Sequence, residues 1–152
     1  MKNNFHTFSK YIKANILTIS EEDYLEMIYR LCLIDNYTRV SDIAKALNVK
    51  PPSVSIMIKK LFNKNLIKHI DYGVIQLTEA GRKHGKELFE RHESVEQFLK
   101  LLNIKGNILE ETEKIEHTLS SDTISKIKLL VAFFAEKEEI LTAFNHYLKE
   151  KE

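Results

Sequence analysis

The sequence predicts a mainly helical protein with one small β element, on three observations. Only four Gly and two Pro occur in 152 residues, so turns are few. Apolar residues recur at three- and four-residue spacing through successive segments, the period of a buried helical stripe. The stretch that departs from that period, Leu66 to Leu77, holds two short β-type runs around Asp71-Tyr72-Gly73.

The first helix is expected to open at Ser20, where Ser20-Glu21-Glu22-Asp23 matches a capping box with Asp in place of the usual Glu. Leu25, Ile28, Leu31 and Cys32 follow at helical spacing, and Asp35-Asn36 marks the end. Residues 1–19 carry Tyr, Phe and Ile without a firm period and form an unassigned N-terminal extension. Arg39-Val40 reads as a short extended link. Ser41-Asp42 is expected to cap a brief helix reaching Leu47, with Ile43, Ala44 and Leu47 inward. Asn48-Val49-Lys50 forms a turn. Pro51-Pro52 opens the next helix, since proline is tolerated in a first turn whose N–H groups lack helical partners anyway. That helix runs to about Asn65 with Val54, Ile58, Leu61 and Phe62 inward. Strands at 66–70 and 74–77 follow, a hairpin signal. Thr78 with Glu79 caps a long helix reaching about Leu102, and further helices are expected near 108–118, 121–135 and 137–150.

Helix, helix, turn, helix, two-stranded hairpin is the order of a winged helix-turn-helix. The expected division is a winged-helix DNA-binding domain at 20–83 and an all-helical domain at 84–152. In such a motif the second helix enters the major groove and its N-terminal residues face base edges. Here that helix begins Pro51-Pro52-Ser53-Val54-Ser55. The short hydroxyls of Ser53 and Ser55 allow close backbone approach and can bond bases or phosphates. Arg39, Ser41, Lys50, Lys59, Lys60 and Lys64 suit the sugar-phosphate backbone, and Tyr72 stands at the hairpin tip. No Arg or Gln lies early in the helix, so sequence preference rests partly on DNA shape. Taken singly, these serines read equally as capping residues and these lysines as a solvated face. The motif order carries the DNA reading.

Charge is distributed unevenly behind a net +1. Residues 37–86 hold ten Lys or Arg against three Asp or Glu, a balance of +7; residues 87–117 hold four against eight, a balance of −4. A basic segment beside an acidic one suits polyanion binding and cation binding, although solvated helix faces give the same pattern. No apolar run approaches the roughly 18 residues of a membrane span, and the N-terminus lacks signal-peptide features. The single Cys32 can form neither an internal disulfide nor a thiolate cage, which fits a reducing cytoplasm.

Three places concentrate metal-type ligands: Asp23 and Glu26, three apart on the first helix; His92 within the long helix; and Glu113, Glu116 and His117, which project to one side at spacings of three and one. Four carboxylates and two imidazoles are enough for one or two six-coordinate ions. Hard oxygen ligands with a minority of imidazole suit manganese or iron(II), whereas thiolate sets select zinc or copper(I). Each residue alone reads as well as a helix-dipole partner or a surface charge. Spacing does not bring 23, 92 and 117 together; that step belongs to the fold.

These stretches, taken together, resemble the diphtheria toxin repressor family, most closely its manganese transport regulator branch. They are Asp23-Tyr24-Leu25-Glu26-Met27-Ile28-Tyr29, Arg39 to Leu47, Pro52-Ser53-Val54-Ser55, Leu77-Thr78-Glu79-Ala80-Gly81, Arg91-His92-Glu93 with Glu96-Gln97-Phe98-Leu99, and Glu113-Lys114-Ile115-Glu116-His117. The resemblance implies that Asp23, Glu26, His92, Glu113, Glu116 and His117 surround a two-metal site. The iron-sensing branch carries Met and Cys where Asp23 and Glu113 stand, so oxygen at both points to manganese. The implied activity is repression: one or two Mn²⁺ per subunit, with Fe²⁺, Co²⁺ or Zn²⁺ able to enter in vitro, hold a homodimer so that it binds double-stranded operator DNA. The 84–152 domain is then the metal-binding and dimerisation domain, without the SH3-like third domain of the larger iron sensors. Competing readings are a winged-helix regulator answering to a small organic ligand, an iron rather than manganese sensor, a two-metal hydrolase, and a protein-interaction module.

Overall fold

Seven helices and three strands form among the described residues, 17–70 and 73–151, of this computed structural model. The chain divides into two compact units, up to Lys86 and from Glu87.

In the first unit, helix α1 spans Ile19–Asp35. Its cap is Thr18, two residues earlier than the expected Ser20: the Glu21 N–H donates to Thr18 Oγ1 at 3.3 Å and the Thr18 N–H donates to Glu21 Oε2 at 2.8 Å. Thr18-x-x-Glu21 carries the full-length glutamate that reaches back to the cap, whereas the Ser20 alternative offered the shorter Asp23. Leu25, Ile28 and Cys32 are fully buried on one stripe. Asn36 ends the helix in the left-handed conformation, φ 60°.

The expected link at residues 39–40 is instead a third strand. β1, Thr38–Arg39, pairs antiparallel with β3, Val74–Leu77, which also pairs with β2, Ile67–Ile70, in the order β1-β3-β2. A two-residue strand has no measurable alternation, and nothing in its residues announces it. Helix α2, Val40–Ala46, starts without a side-chain cap, which corrects the assignment of Ser41-Asp42 to that task; both residues lie inside the helix. Asn48, φ 53°, turns the chain into α3, Pro51–Asn63. Val54, Ile58 and Leu61 are buried as expected, but Phe62 is 47% exposed. The three buried positions already fill the inward stripe at spacings of four and three, and Phe62 lies beyond its edge.

Thr78 caps α4, Glu79–Leu101, by accepting the Gly81 N–H at 3.0 Å, and its hydroxyl donates to the Asn65 carbonyl at 2.7 Å. One side chain thus ties the end of α3 to the start of α4. Cys32 sits in the core of this unit. Burial pushes its thiol up, against the opposing charge of Arg82 and a backbone hydrogen bond with Leu77.

A half-buried ion pair fixes α1 against the end of α3: Lys64 Nζ lies 2.8 Å from Glu21 Oε2. Burial by itself would raise the Glu21 carboxyl, but hydrogen bonds from Lys64 and Thr18 outweigh it and hold the group below the ordinary carboxylate range. A carboxyl depressed in the folded state contributes stability that is present above its unfolded pKa and lost as pH falls through the folded one. Lys64→Met is therefore expected to cost about 1 kcal/mol at neutral pH, a modest figure because the ammonium is a third exposed. Urea unfolding of both proteins at pH 7 and at about pH 3 should show the difference shrinking in acid. A pH-independent difference would refute the assignment.

In the second unit, Val95, Leu99 and Ile124 form a small core, with Phe98, Ile108, Ile115 and Leu119 packed against it. α5 spans Ile108–Glu116, capped by Asn107; α6 spans Ser121–Glu136, capped by Ser120; α7 spans Glu138–Lys151. Leu129, Leu130, Phe133, Ile140 and Tyr147 on the last two helices remain exposed.

Candidate metal centre and DNA-reading helix

The opening turns of α3 face outward in the first unit. Pro51, Pro52, Ser53, Ser55, Lys59 and Lys60 are exposed, as are Arg39, Ser41 and Lys50. Ser55 Oγ donates back to the Pro51 carbonyl at 3.2 Å, and Ser41 Oγ donates to Asp42 Oδ1 at 3.3 Å. Both oxygens keep acceptor capacity on an exposed face. Tyr72 lies outside the described residues. Lys64, expected on phosphate, is engaged by Glu21. Sequence reasoning missed Ile56, which is 61% exposed. It falls off the stripe of Val54, Ile58 and Leu61, and an apolar side chain bared near Ser53 and Lys60 suits contact with a thymine methyl. That break of period was the available signal.

Two candidate ligands stand on α1. Glu26 is buried and Asp23 half-buried, three residues apart on one face. Glu26 Oε1 accepts from Arg30 Nε and lies 2.8 Å from Arg30 Nη2 as well.

The other four meet within the second unit. Ile108 and Ile115 anchor α5 on the core, and the Thr112 hydroxyl donates to the Ile108 carbonyl at 2.9 Å. That phase of the helix brings Glu113, Glu116 and the capping His117 onto an adjoining face. Glu116 is the hub, at 1% exposure. Its Oε2 lies 3.2 Å from His92 Nδ1 on α4, and its Oε1 lies 3.5 Å from His117 Nε2. Glu113 Oε1 is 3.7 Å from the same His92 nitrogen. Among the described residues Glu116 Oε2 accepts no hydrogen bond of ordinary geometry.

A buried carboxylate with an unsatisfied oxygen between two imidazoles is costly unless a cation or proton settles there. The donors are oxygen and imidazole nitrogen, with no thiolate, so the cluster fits a divalent ion of the harder first-row type. Arg91, on the same helix as His92, places Nη2 at 3.1 Å from His117 Nδ1.

Two family profiles match the chain: the N-terminal DNA-binding domain of iron dependent repressors over residues 16–75, and the metal binding and dimerisation domain of iron dependent repressors over residues 78–144. The HTH-type transcriptional regulator MntR of Geobacillus kaustophilus (strain HTA426) is 44% identical over 136 residues, 89% of this chain and 96% of that protein. Among solved structures, that of the manganese regulator SloR is 32% identical, with a TM-score of 0.66 over 77% of this chain and 55% of that one. The IdeR of T. acidophilum is 31% identical, with a TM-score of 0.63 over 74% of this chain and 54% of that one. This chain therefore spans little more than half the length of these two solved neighbours. No helix among the described residues is long and apolar enough to cross a membrane.

Proposed function

The chain belongs to the iron-dependent repressor family, the metal-dependent transcriptional regulators that its sequence resembles, and from that premise we propose that it is a manganese-activated repressor. In this reading it acts in the cytoplasm as a homodimer on operator DNA and controls metal-uptake genes. The DNA-binding domain comprises 20–83, and the metal-binding and dimerisation domain 84–152. The observation that carries the reading is the buried Glu116 carboxylate set between His92 and His117 with Glu113 beside it.

We assign the full ligand set to Asp23, Glu26, His92, Glu113, Glu116 and His117. What supports Asp23 and Glu26 is their shared helix face, the burial of Glu26 and the match to the family's pattern. Oxygen at 23 and 113, in place of sulfur, supports manganese over iron. When bound, a divalent cation supplies the positive charge that offsets the mutual repulsion of these carboxylates. In its absence the carboxylates of α1 and α5 oppose a shared arrangement. Once neutralised, they hold α1, and α3 packed with it, in one orientation. The two α3 helices of a dimer then reach successive major grooves, about 34 Å apart. Pro51, Pro52, Ser53 and Ser55 meet base edges, while Arg39, Ser41, Lys50, Lys59, Lys60 and Tyr72 meet the DNA backbone and adjacent groove.

The effector must favour the DNA-competent arrangement differentially, by about 1–3 kcal/mol, or roughly 5–150-fold in affinity. Chelator-stripped protein is therefore expected to bind operator DNA weakly, with Mn²⁺ restoring tight binding in a mobility-shift or anisotropy titration. Equal affinity with and without Mn²⁺ would discard the sensing role. The organic-ligand alternative is not favoured, because both matched domains belong to a metal-dependent family. That family comprises transcriptional regulators, not enzymes.

A further inference from the structure

We infer that Ile56 is a specificity-determining residue of the DNA-reading helix: it selects thymine in each operator half-site through the C5 methyl group. The inference rests on the DNA-binding reading above and adds a residue outside the base-reading set assigned there.

Helical phase places this side chain. Successive residues of a helix are about 100° apart, so Ile56 stands roughly 200° around α3 from Val54. Ile58 and Leu61 share the Val54 side and are buried with it. Ile56 is therefore opposite the core stripe, and it is 61% exposed. That side of the second helix is the one a helix-turn-helix presents to the major groove. Pro52 lies four residues before Ile56 and Lys60 four after, so the three line one face, and both neighbours are exposed. A single apolar side chain bared at a surface is ordinary. What distinguishes Ile56 is its place at the middle of the reading face.

Its surroundings select the partner. No Asp or Glu occurs in α3, while Lys59 and Lys60 stand exposed one turn beyond Ile56. An apolar centre beside ammonium groups fits a polyanion that offers an apolar group between its charges. In the major groove that group is the thymine methyl, which no other base presents. The isoleucine side chain has neither donor nor acceptor. Pressed against guanine O6 or cytosine N4, it strips water from a polar group and returns no hydrogen bond. Thymine is favoured on both counts. Burying one methyl is worth about 4-fold in affinity, and two half-sites together give about 16-fold.

The full-length wild type with Mn²⁺ first selects duplexes from a randomised pool, and a selected duplex then serves as the probe in anisotropy titrations. Each thymine is replaced in turn by uracil, which removes the methyl and keeps every hydrogen-bonding group. At one thymine per half-site, wild type is expected to bind about 4-fold more weakly, and Ile56→Ala to be indifferent. At that position 5-methylcytosine is expected to bind wild type about 4-fold tighter than cytosine. Equal binding of wild type to thymine and uracil throughout, or to the two cytosines, overturns the role of Ile56 without recourse to any variant. A uracil penalty that persists in Ile56→Ala reports duplex shape or another side chain, and overturns it equally. Failure of wild type to enrich any sequence overturns the DNA reading itself, and this inference with it.

Discussion

Glu116→Gln is expected to erase the Mn²⁺ response of DNA binding: a gain of roughly 5–150-fold in the parent falls to near unity in the variant. The amide has nearly the same shape as the carboxylate, so packing around α5 is preserved. What changes is charge and donor character. At 1% exposure, the carboxylate faces His92 with one oxygen and His117 with the other. Glutamine puts an NH₂ group at one of those positions, and that group has no lone pair to give a metal ion. Thermal melting supplies the second readout. Wild type at 100-fold excess of Mn²⁺ over its dissociation constant gains about 2.7 kcal/mol, and the variant gains none. The metal-free variant is expected to melt no lower than wild type, because removing a buried charge relieves its desolvation. Retention of a full Mn²⁺ response by Glu116→Gln would remove this residue from the centre.

Gly81→Ala carries the second large effect, and its sign opposes the rule for helix interiors. Propensity alone favours alanine over glycine there by about 1 kcal/mol. The structure predicts the reverse. A Cβ at Gly81 would be driven into the Leu66 carbonyl oxygen, which is backbone and has no rotamer with which to yield. The same carbonyl accepts the Thr78 N–H at 3.0 Å, so moving it disturbs the cap that joins the α3 end to α4. A loss of about 3 kcal/mol or more is expected in urea unfolding. Gly73→Ala is the control: nothing lies within 4 Å, and only the left-handed φ of +73° penalises the change, at about 1 kcal/mol. Neutral or stabilising behaviour of Gly81→Ala would show that the Leu66 backbone and α4 are not held this closely.

Much of this was legible in the residues themselves. The helix-turn-helix and its hairpin emerged because proline and periodicity signals agreed over residues 40–77 even where the expected Ser41-Asp42 cap did not form. Legibility failed where two local signals competed or none existed. Thr18 and Ser20 both head a capping pattern, and the longer Glu21 arm decides between them. β1 is too short to alternate, and its existence depends on β3 offering Val74 and Ile75 as partners. For the candidate centre, helical spacing grouped Glu113, Glu116 and His117, but the approach of His92 needed the packing of α4 on α5 through the Val95 core. Nothing local marked Arg91 or Lys64 for the side chain it meets. Their partners, His117 and Glu21, lie 26 and 43 positions away in the chain.

The paired prolines at the head of α3 leave that helix without two amide hydrogens that other helices can turn toward an anion. Its reading end is rigid before any duplex arrives, because both rings fix φ and little backbone freedom remains to be lost on docking. Grip on the duplex must then come from ammonium and guanidinium side chains around the helix rather than from its terminus. Attachment will weaken with rising ionic strength in proportion to how many of those cations touch phosphate.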